Sequence, residues 1–151
     1  MNRLDRFWKV ERLAHRHHKG QMYGNKPYMY HLKGVFNLAS LEYPEGSTSV
    51  LVVSLLHDIL EDTDISEEEL KEVVTEEEYE AIIALSKKPD EKYVNYLERV
   101  SKNEIASKVK AVDILFNMNH SLKEGNNKRA SYYMDRYTKL KKLSNYLRSE
   151  S

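Results

Sequence analysis

The chain of 151 residues contains no cysteine, and it has only five glycines and three prolines. Without cysteine it can form no disulfide, no thiolate metal site and no cysteine nucleophile. Its apolar runs are far too short to cross a bilayer, and no secretory signal follows Met1. Basic and acidic residues number 24 each, so no net field attracts nucleic acid or a membrane. These absences predict a soluble cytoplasmic protein with neither kind of partner.

Helical patterns fill most of the sequence, and no segment alternates with the period of a β-strand. Two short acidic helices are predicted to begin at the S/T-x-x-E capping boxes of Ser66 and Thr75. The other predicted helices cover residues 4–19, 28–41, 48–60, 93–101, 103–122 and 130–147. The breaks between them are GQMYGNKP (20–27), EYPEGS (42–47), SKKPDE (86–91) and KEGNNK (123–128). The length suits one domain, so we predict a single all-α domain over residues 1–151.

One apolar helix carries charged side chains that need a partner. In VLVVSLLHDILEDTD (50–64) the apolar residues surround the helix, which is typical of a buried one. His57 and Glu61 share a face, about 40° apart at 100° per residue, and Asp58 and Asp62 follow on the adjacent side. Burying such charges is costly unless they are paired or bind a metal ion. The pattern favours a divalent-metal site with acid and base groups one turn away.

Two other segments offer further metal ligands. Asp113 is the only acid in KVKAVDILFNM (108–118), and Asn117 lies one turn later on the same face. His31 follows NKPYMY at the start of the second helix. Each of these residues alone is more simply explained as a satisfied core residue. Two imidazoles and two carboxylates from separate helices are explained more economically by one bound metal ion.

The motifs reproduce, in order, the H…HD…D pattern of HD-domain metal-dependent phosphohydrolases. HDILEDTD (57–64) resembles the HDxxEDT motif of the RelA/SpoT-type alarmone hydrolases. HKGQMYGNKPYMYHLKGV (18–35) resembles their H-x-G-Q…P-Y-x-x-H-P-x-x-V segment, and VKAVDILFNM (109–118) resembles K-x-A-D-x-x-x-N-M. KYVNYLERVSKNEIASKVKAVD (92–113) is similar to small single-domain bacterial members of this group. The resemblance covers roughly residues 10–145.

This resemblance implies a single HD-domain helical bundle that hydrolyses a nucleotide with a divalent metal, usually manganese (Mn²⁺). The implied metal ligands are His31, His57, Asp58 and Asp113. Glu61 and Asp62 would handle the water and the proton of the leaving group, and Asn117 would touch the nucleotide. The activity implied is that of a guanosine 3′,5′-bis(diphosphate) 3′-pyrophosphohydrolase.

The substrate-facing loop departs from the family. The family has an arginine shortly after G-Q that packs on the purine base, where this chain has Met22 and Tyr23. Tyr23 offers a flat face for stacking but little hydrogen bonding, so we expect looser base selection. Tyr96 and Arg99, on one short helix, are candidates for the substrate mouth, and Lys88 for a phosphate contact. Packing between helices is the alternative for Tyr96, and an exposed loop tyrosine without a binding role is the alternative for Tyr23.

Two other functions remain open. One is an HD-domain hydrolase of another nucleotide or nucleoside phosphate, because HD domains serve many phosphate esters. The other is a non-catalytic regulatory protein that keeps the scaffold and binds a nucleotide or nucleic acid through its basic last helix. A degenerate binder is expected to lose a metal ligand or the Glu61–Asp62 pair, and here the whole set is present. The complete set favours an enzyme.

Overall fold

A computed structural model describes residues 2–44 and 47–147, and nearly all regular structure in those ranges is helical. The helices are α1 (Arg3–His17), α2 (Met29–Glu42), α3 (Thr48–Leu56), α4 (Ile59–Asp62), α5 (Glu67–Lys71), α6 (Glu76–Leu85), α7 (Tyr93–Ser101), α8 (Glu104–Lys123) and α9 (Asn127–Leu143). Strands β1 (Met22–Tyr23) and β2 (Lys26–Pro27) pair antiparallel between α1 and α2. The all-α class is confirmed. Residues 1, 45, 46 and 148–151, which include part of the predicted break at 42–47, lie outside the described residues.

Polar side chains set most of the helix starts. At Thr75 the predicted capping box is complete, because Thr75 and Glu78 each accept a hydrogen bond from the other's backbone N–H. At Ser66 only half of the box forms, since the Glu69 side chain pairs with α1 instead. Asn126 caps α9, so this helix begins at Asn127, three residues before the predicted start.

The predicted continuous helix over residues 48–60 is interrupted at the HD doublet. Helix α3 ends at Leu56, and α4 begins at Ile59. Asp58 between them has φ −105° and ψ 0°. The His57 ring donates from Nδ1 to the Ser54 carbonyl at 2.8 Å, and that carbonyl would accept the amide of residue 58 in an unbroken helix. The expectation of an unbroken helix was therefore wrong at these two residues.

Helix α3 forms the centre of the bundle. Residues 50–57 are all buried, and α3 packs against α1, α2, α6 and α8. Helices α2 and α8 also meet closely, because a Cβ atom at Gly34 would lie 2.1 Å from the Phe116 ring. This approach brings the first turn of α2 beside the middle of α8. Within the described ranges, no helix has both the length and the apolar character that a membrane crossing requires.

Candidate metal centre

Three predicted metal ligands converge in the interior from three elements. His31 lies on the first turn of α2, His57 follows α3, and Asp113 lies in the middle of α8. All three residues are at most 6% exposed. The Oδ1 atom of Asp113 is 2.9 Å from Nε2 of His31 and 3.3 Å from Nε2 of His57. Their potential ligand atoms lie within 4.8 Å of one another, which is close enough to hold one metal ion.

Asp58, the fourth predicted ligand, lies at the accessible edge of this group. Its Oδ2 atom is 3.0 Å from Nε2 of His57, and its side chain is 20% exposed. The same oxygen accepts a hydrogen bond from the Tyr28 hydroxyl. The structure thus brings together the four predicted ligands, and His31, His57, Asp58 and Asp113 are called the metal centre below.

The tautomer of His57 tests whether a metal ion fits this site. A carbonyl oxygen only accepts, so the contact with Ser54 puts a hydrogen on Nδ1 of the ring. In a neutral ring the buried Nε2 atom therefore has no hydrogen to donate, and it faces Oδ2 of Asp58 at 3.0 Å and Oδ1 of Asp113 at 3.3 Å. In a neutral ring that nitrogen directs a lone pair at two carboxylates, which is unfavourable unless a positive charge lies among them. A divalent ion fits this mixed nitrogen and oxygen donor set.

Without a metal ion, a proton supplies the positive charge. Burial lowers the pKa of His57, but the charges of Asp58 and Asp113 outweigh it and hold that pKa well above its usual value. Burial raises the pKa of Asp58, yet His57 lowers it to about 2 overall. The pKa of Asp113 is held well below its usual value against the effect of burial, mainly by Lys110 and then by His57. The centre therefore consists of two ionised carboxylates around a cation.

Lys110 orients one of these carboxylates. Its Nζ atom donates to Oδ2 of Asp113 at 3.1 Å, which leaves Oδ1 directed at the two imidazoles. Burial lowers the pKa of Lys110, but nearby Tyr96 and Asp113 raise it well above its usual value, so the ammonium stays charged. Sequence reasoning assigned no role to Lys110 or Tyr28. The available signal for Lys110 was its i,i+3 spacing from a lone buried acid.

The predicted acid–base pair lies on α4, one turn after the HD doublet. Both Glu61 and Asp62 are exposed at the edge of the site. Glu61 accepts a hydrogen bond at Oε1 from the backbone N–H of Lys87, at 2.7 Å. Burial, with the charges of Asp58 and Glu61, raises the pKa of Asp62 to about 6. A carboxyl that titrates there can exchange protons near neutral pH.

Tyr23 and Asn117, both predicted to contact substrate, meet next to the metal centre. The Tyr23 hydroxyl donates to Oδ1 of Asn117 at 2.5 Å. The Tyr23 ring stacks on His31 with ring centroids 4.7 Å apart, and it also contacts Phe116 and His120. The alternative of an exposed loop tyrosine does not hold, because this ring is only partly exposed and covers a predicted ligand.

The other three substrate candidates lie around the end of α6. Tyr96 is buried, and its hydroxyl donates to the Leu85 carbonyl at 2.8 Å. Arg99 donates to three carbonyl oxygens and one carboxylate, those of Ile83, Ala84, Ser86 and Glu91. Lys88 is exposed, and its backbone N–H donates to Glu91. These contacts favour the packing alternative for Tyr96 and give Arg99 a role within the protein.

Comparison with known proteins finds a solved structure with a similar fold. No protein-family model matches the chain, and no curated protein matches its sequence. A solved structure, described as a metazoan ortholog of SpoT that hydrolyzes ppGpp and plays a role in starvation responses, matches with a TM-score of 0.75. The two chains are 22% identical, and the match covers 94% of this chain and 89% of the other. This likeness shows the fold, and it confirms the expected HD-type helical bundle.

Proposed function

We propose that the chain is a single-domain phosphohydrolase, over residues 1–151, that uses a divalent metal ion, with Mn²⁺ as the ion of choice. The proposed reaction removes the 3′-pyrophosphate of guanosine 3′,5′-bis(diphosphate) or a close analogue. The observation that carries the proposal is the metal centre, in which buried Nε2 of His57 lies 3.0 Å and 3.3 Å from oxygens of two carboxylates. The activity described for the structural relative is of the same class.

Each side chain of the metal centre has a defined part in this proposal. His31 and His57 would supply imidazole nitrogens to the ion, and Asp58 and Asp113 would supply carboxylate oxygens. A bound divalent ion polarises a phosphoryl oxygen and lowers the pKa of a water molecule. The second oxygen of Asp113 stays on Lys110, which keeps the carboxylate directed at the imidazoles. Such outer contacts commonly affect metal affinity by about 10- to 100-fold.

Glu61 and Asp62 would handle the protons of the reaction. Water attacks the phosphorus next to the ribose 3′-oxygen and loses a proton, the bond from phosphorus to that oxygen breaks, and the oxygen gains a proton. Both carboxyl groups lie one turn beyond the ligand doublet and reach the accessible edge of the site. The raised pKa of Asp62, about 6, suits a group that donates a proton near neutral pH.

We assign the nucleotide end of the substrate to Tyr23 and Asn117, with Lys88 as a phosphate contact. The position of Tyr23 on His31 supports this assignment, because it places an aromatic ring beside the metal centre. Aromatic rings stack on any base, at about 1–3 kcal/mol per base, whereas hydrogen bonds to a base edge discriminate. We therefore propose that the enzyme distinguishes guanine from adenine weakly.

The test is hydrolysis of guanosine 3′,5′-bis(diphosphate) by Mn²⁺-loaded protein, with identification of both products. We expect guanosine 5′-diphosphate and pyrophosphate. The matched variant Asp62→Asn keeps the size of the side chain, and it should bind Mn²⁺ while losing about 10²- to 10⁴-fold in turnover. Hydrolysis only of other nucleotides would assign a different substrate to the same site. Nucleotide binding without hydrolysis of any nucleotide would indicate a regulatory binder.

A further inference from the structure

Arg99 of α7 binds the C-terminal end of α6 with its whole guanidinium group. Its Nη1 atom donates to the carbonyls of Ile83 at 3.1 Å and Ala84 at 2.9 Å. Its Nη2 atom donates to the Ser86 carbonyl at 3.1 Å. The Glu91 carboxylate accepts from Nε at 3.2 Å and from Nη2 at 2.7 Å. These bonds engage as many donors as a guanidinium has, so Arg99 offers none to a substrate phosphate.

The chain passes from this helix end directly to Glu61. Ser86 ends α6 with an extended backbone, at φ −92° and ψ 105°. The next amide, that of Lys87, donates to Oε1 of Glu61 at 2.7 Å. Tyr96, one turn before Arg99 in α7, holds the same segment through its hydrogen bond to Leu85. Residues 85–87 are thus held by α7 on one side and bind Glu61 on the other.

The electrostatics of the helix end explain why a cation is needed there. The last carbonyls of a helix lack intrahelical donors and carry the negative end of the helix dipole. A carboxylate such as that of Glu61 is therefore unfavourable near the end of α6. The guanidinium of Arg99 donates to three carbonyls at this helix end, and it is itself paired with the Glu91 carboxylate. These bonds fix the backbone that leads to Lys87, whose amide holds the anionic side chain of Glu61.

We propose that Arg99 is a positioning residue for Glu61, acting through the carbonyls of residues 83–86 and the amide of Lys87. The inference rests on the proposed function, in which Glu61 handles a proton of the hydrolysis. Glu61 is exposed, so without this amide its carboxylate would sample several rotamers. A misplacement of about 1 Å can cost about 10²-fold in rate, which makes one hydrogen bond to an exposed carboxylate important.

Hydrogen exchange at the Lys87 amide tests the contact without any need for activity. Arg99→Met should speed this exchange about tenfold or more in the native state, and Glu61→Ala should do the same by removing the acceptor. Lys102→Met is the matched control, because Lys102 is an exposed cation at the end of the same helix. It should leave the Lys87 amide unchanged. Unchanged exchange in Arg99→Met would overturn the inference.

Kinetics then test whether the contact serves the reaction. Arg99→Met should lower kcat about 10- to 100-fold, with Mn²⁺ affinity and KM changed by less than about threefold. In the Glu61→Ala background the same substitution should lower kcat no further, because the positioned group is gone. Arg99→Lys keeps the charge and should restore part of the loss. Equal losses in both backgrounds would overturn the positioning role.

The two proposals fail in different ways. If Glu61→Ala keeps full kcat, the proposed role of Glu61 is wrong, and with it the positioning role of Arg99 in the reaction. Fast Lys87 exchange in Arg99→Met would still show in that case that Arg99 holds the amide. If Glu61→Ala loses kcat and Arg99→Met does not, the proposed function stands and the positioning inference is wrong.

Discussion

The metal centre and the more accessible rim around it, which consists of Glu61, Asp62, Tyr23 and Asn117, are held in different ways. At the centre, His31, His57 and Asp113 are buried and contact one another, and Lys110 binds the carboxylate from the far side. At the rim, Glu61 is exposed and is held by a backbone amide. A buried charge without partners is costly, so each group at the centre constrains the others. An exposed carboxylate is stabilised by water, and its geometry depends on fewer protein contacts.

The largest expected effect comes from breaking the centre at its carboxylates. Asp113→Ala should abolish Mn²⁺ binding and turnover, and it should destabilise the fold by about 3 kcal/mol because Lys110 loses its buried partner. Asp58→Ala should abolish binding with a smaller loss of stability, since Asp58 lies at the accessible edge. Calorimetric titration with Mn²⁺ and urea denaturation measure the two effects. Stoichiometric Mn²⁺ in either variant would contradict the assignment of ligands.

Lowering the pH should weaken metal binding next most strongly. Mn²⁺ must displace the proton that His57 holds with a raised pKa. The affinity should therefore fall about tenfold per pH unit below that pKa and level off above it. Titrations in buffers of different ionisation enthalpy count the protons released. Binding without proton release would show that the ion avoids Nε2 of His57.

Two of these groups, His57 and Asp58, also determine how the stability of the metal-free protein changes with pH. The raised pKa of His57 stabilises the fold below the usual value of 6.5, and this contribution is lost as the pH rises through the raised value. Asp58 acts in the opposite direction. Its pKa of about 2 contributes stability above the usual 3.8, and that contribution is lost as the pH falls toward 2. Denaturation midpoints across pH, with a chelator present, check both signs.

Removing the contact between Lys110 and Asp113 should have a smaller effect on Mn²⁺ binding than removing a ligand. Lys110→Met removes the donor to Oδ2 of Asp113, and the Mn²⁺ dissociation constant should rise about 10- to 100-fold. Lys108→Met is the matched control, because Lys108 lies on another face of α8 and pairs with Glu104, and it should leave the constant unchanged. An unchanged constant in Lys110→Met would show that the imidazoles alone orient the carboxylate.

Crowding the contact between α2 and α8 should mainly affect stability. Gly34→Ala places a methyl group 2.1 Å from the Phe116 ring, so the ring or a helix must move. Overpacking of this kind costs about 1–3 kcal/mol, measured here as a shift of the urea midpoint. Adding Phe116→Leu should recover part of the loss, and no recovery would place the strain elsewhere.

At the rim the smallest effect is expected. Tyr23→Phe keeps the ring on His31 but removes the hydrogen bond to Asn117. The value of kcat/KM should fall about two- to tenfold, as expected for one hydrogen bond, with little change in the ratio between guanosine and adenosine substrates. A strong guanine preference that survives Tyr23→Ala would show that other residues recognise the base.

The difference between centre and rim also explains what the sequence could predict. A lone acid such as Asp113 in an apolar run demands a partner, so its convergence with His31, His57 and Asp58 could be predicted from patterns and motif order. The break at His57 and Asp58 could not, because it depends on a ring nitrogen that binds the Ser54 carbonyl. Nor could the contacts of Arg99 with the end of α6, because they join helices whose relative placement local patterns do not specify.

The most direct test of the central claim is anomalous X-ray scattering at the manganese edge from crystals grown with Mn²⁺. We predict one strong peak per chain, between Nε2 of His31 and His57 and the oxygens of Asp58 and Asp113. A chain without a peak, or with its peak away from these four side chains, would contradict the claim that they hold the metal ion.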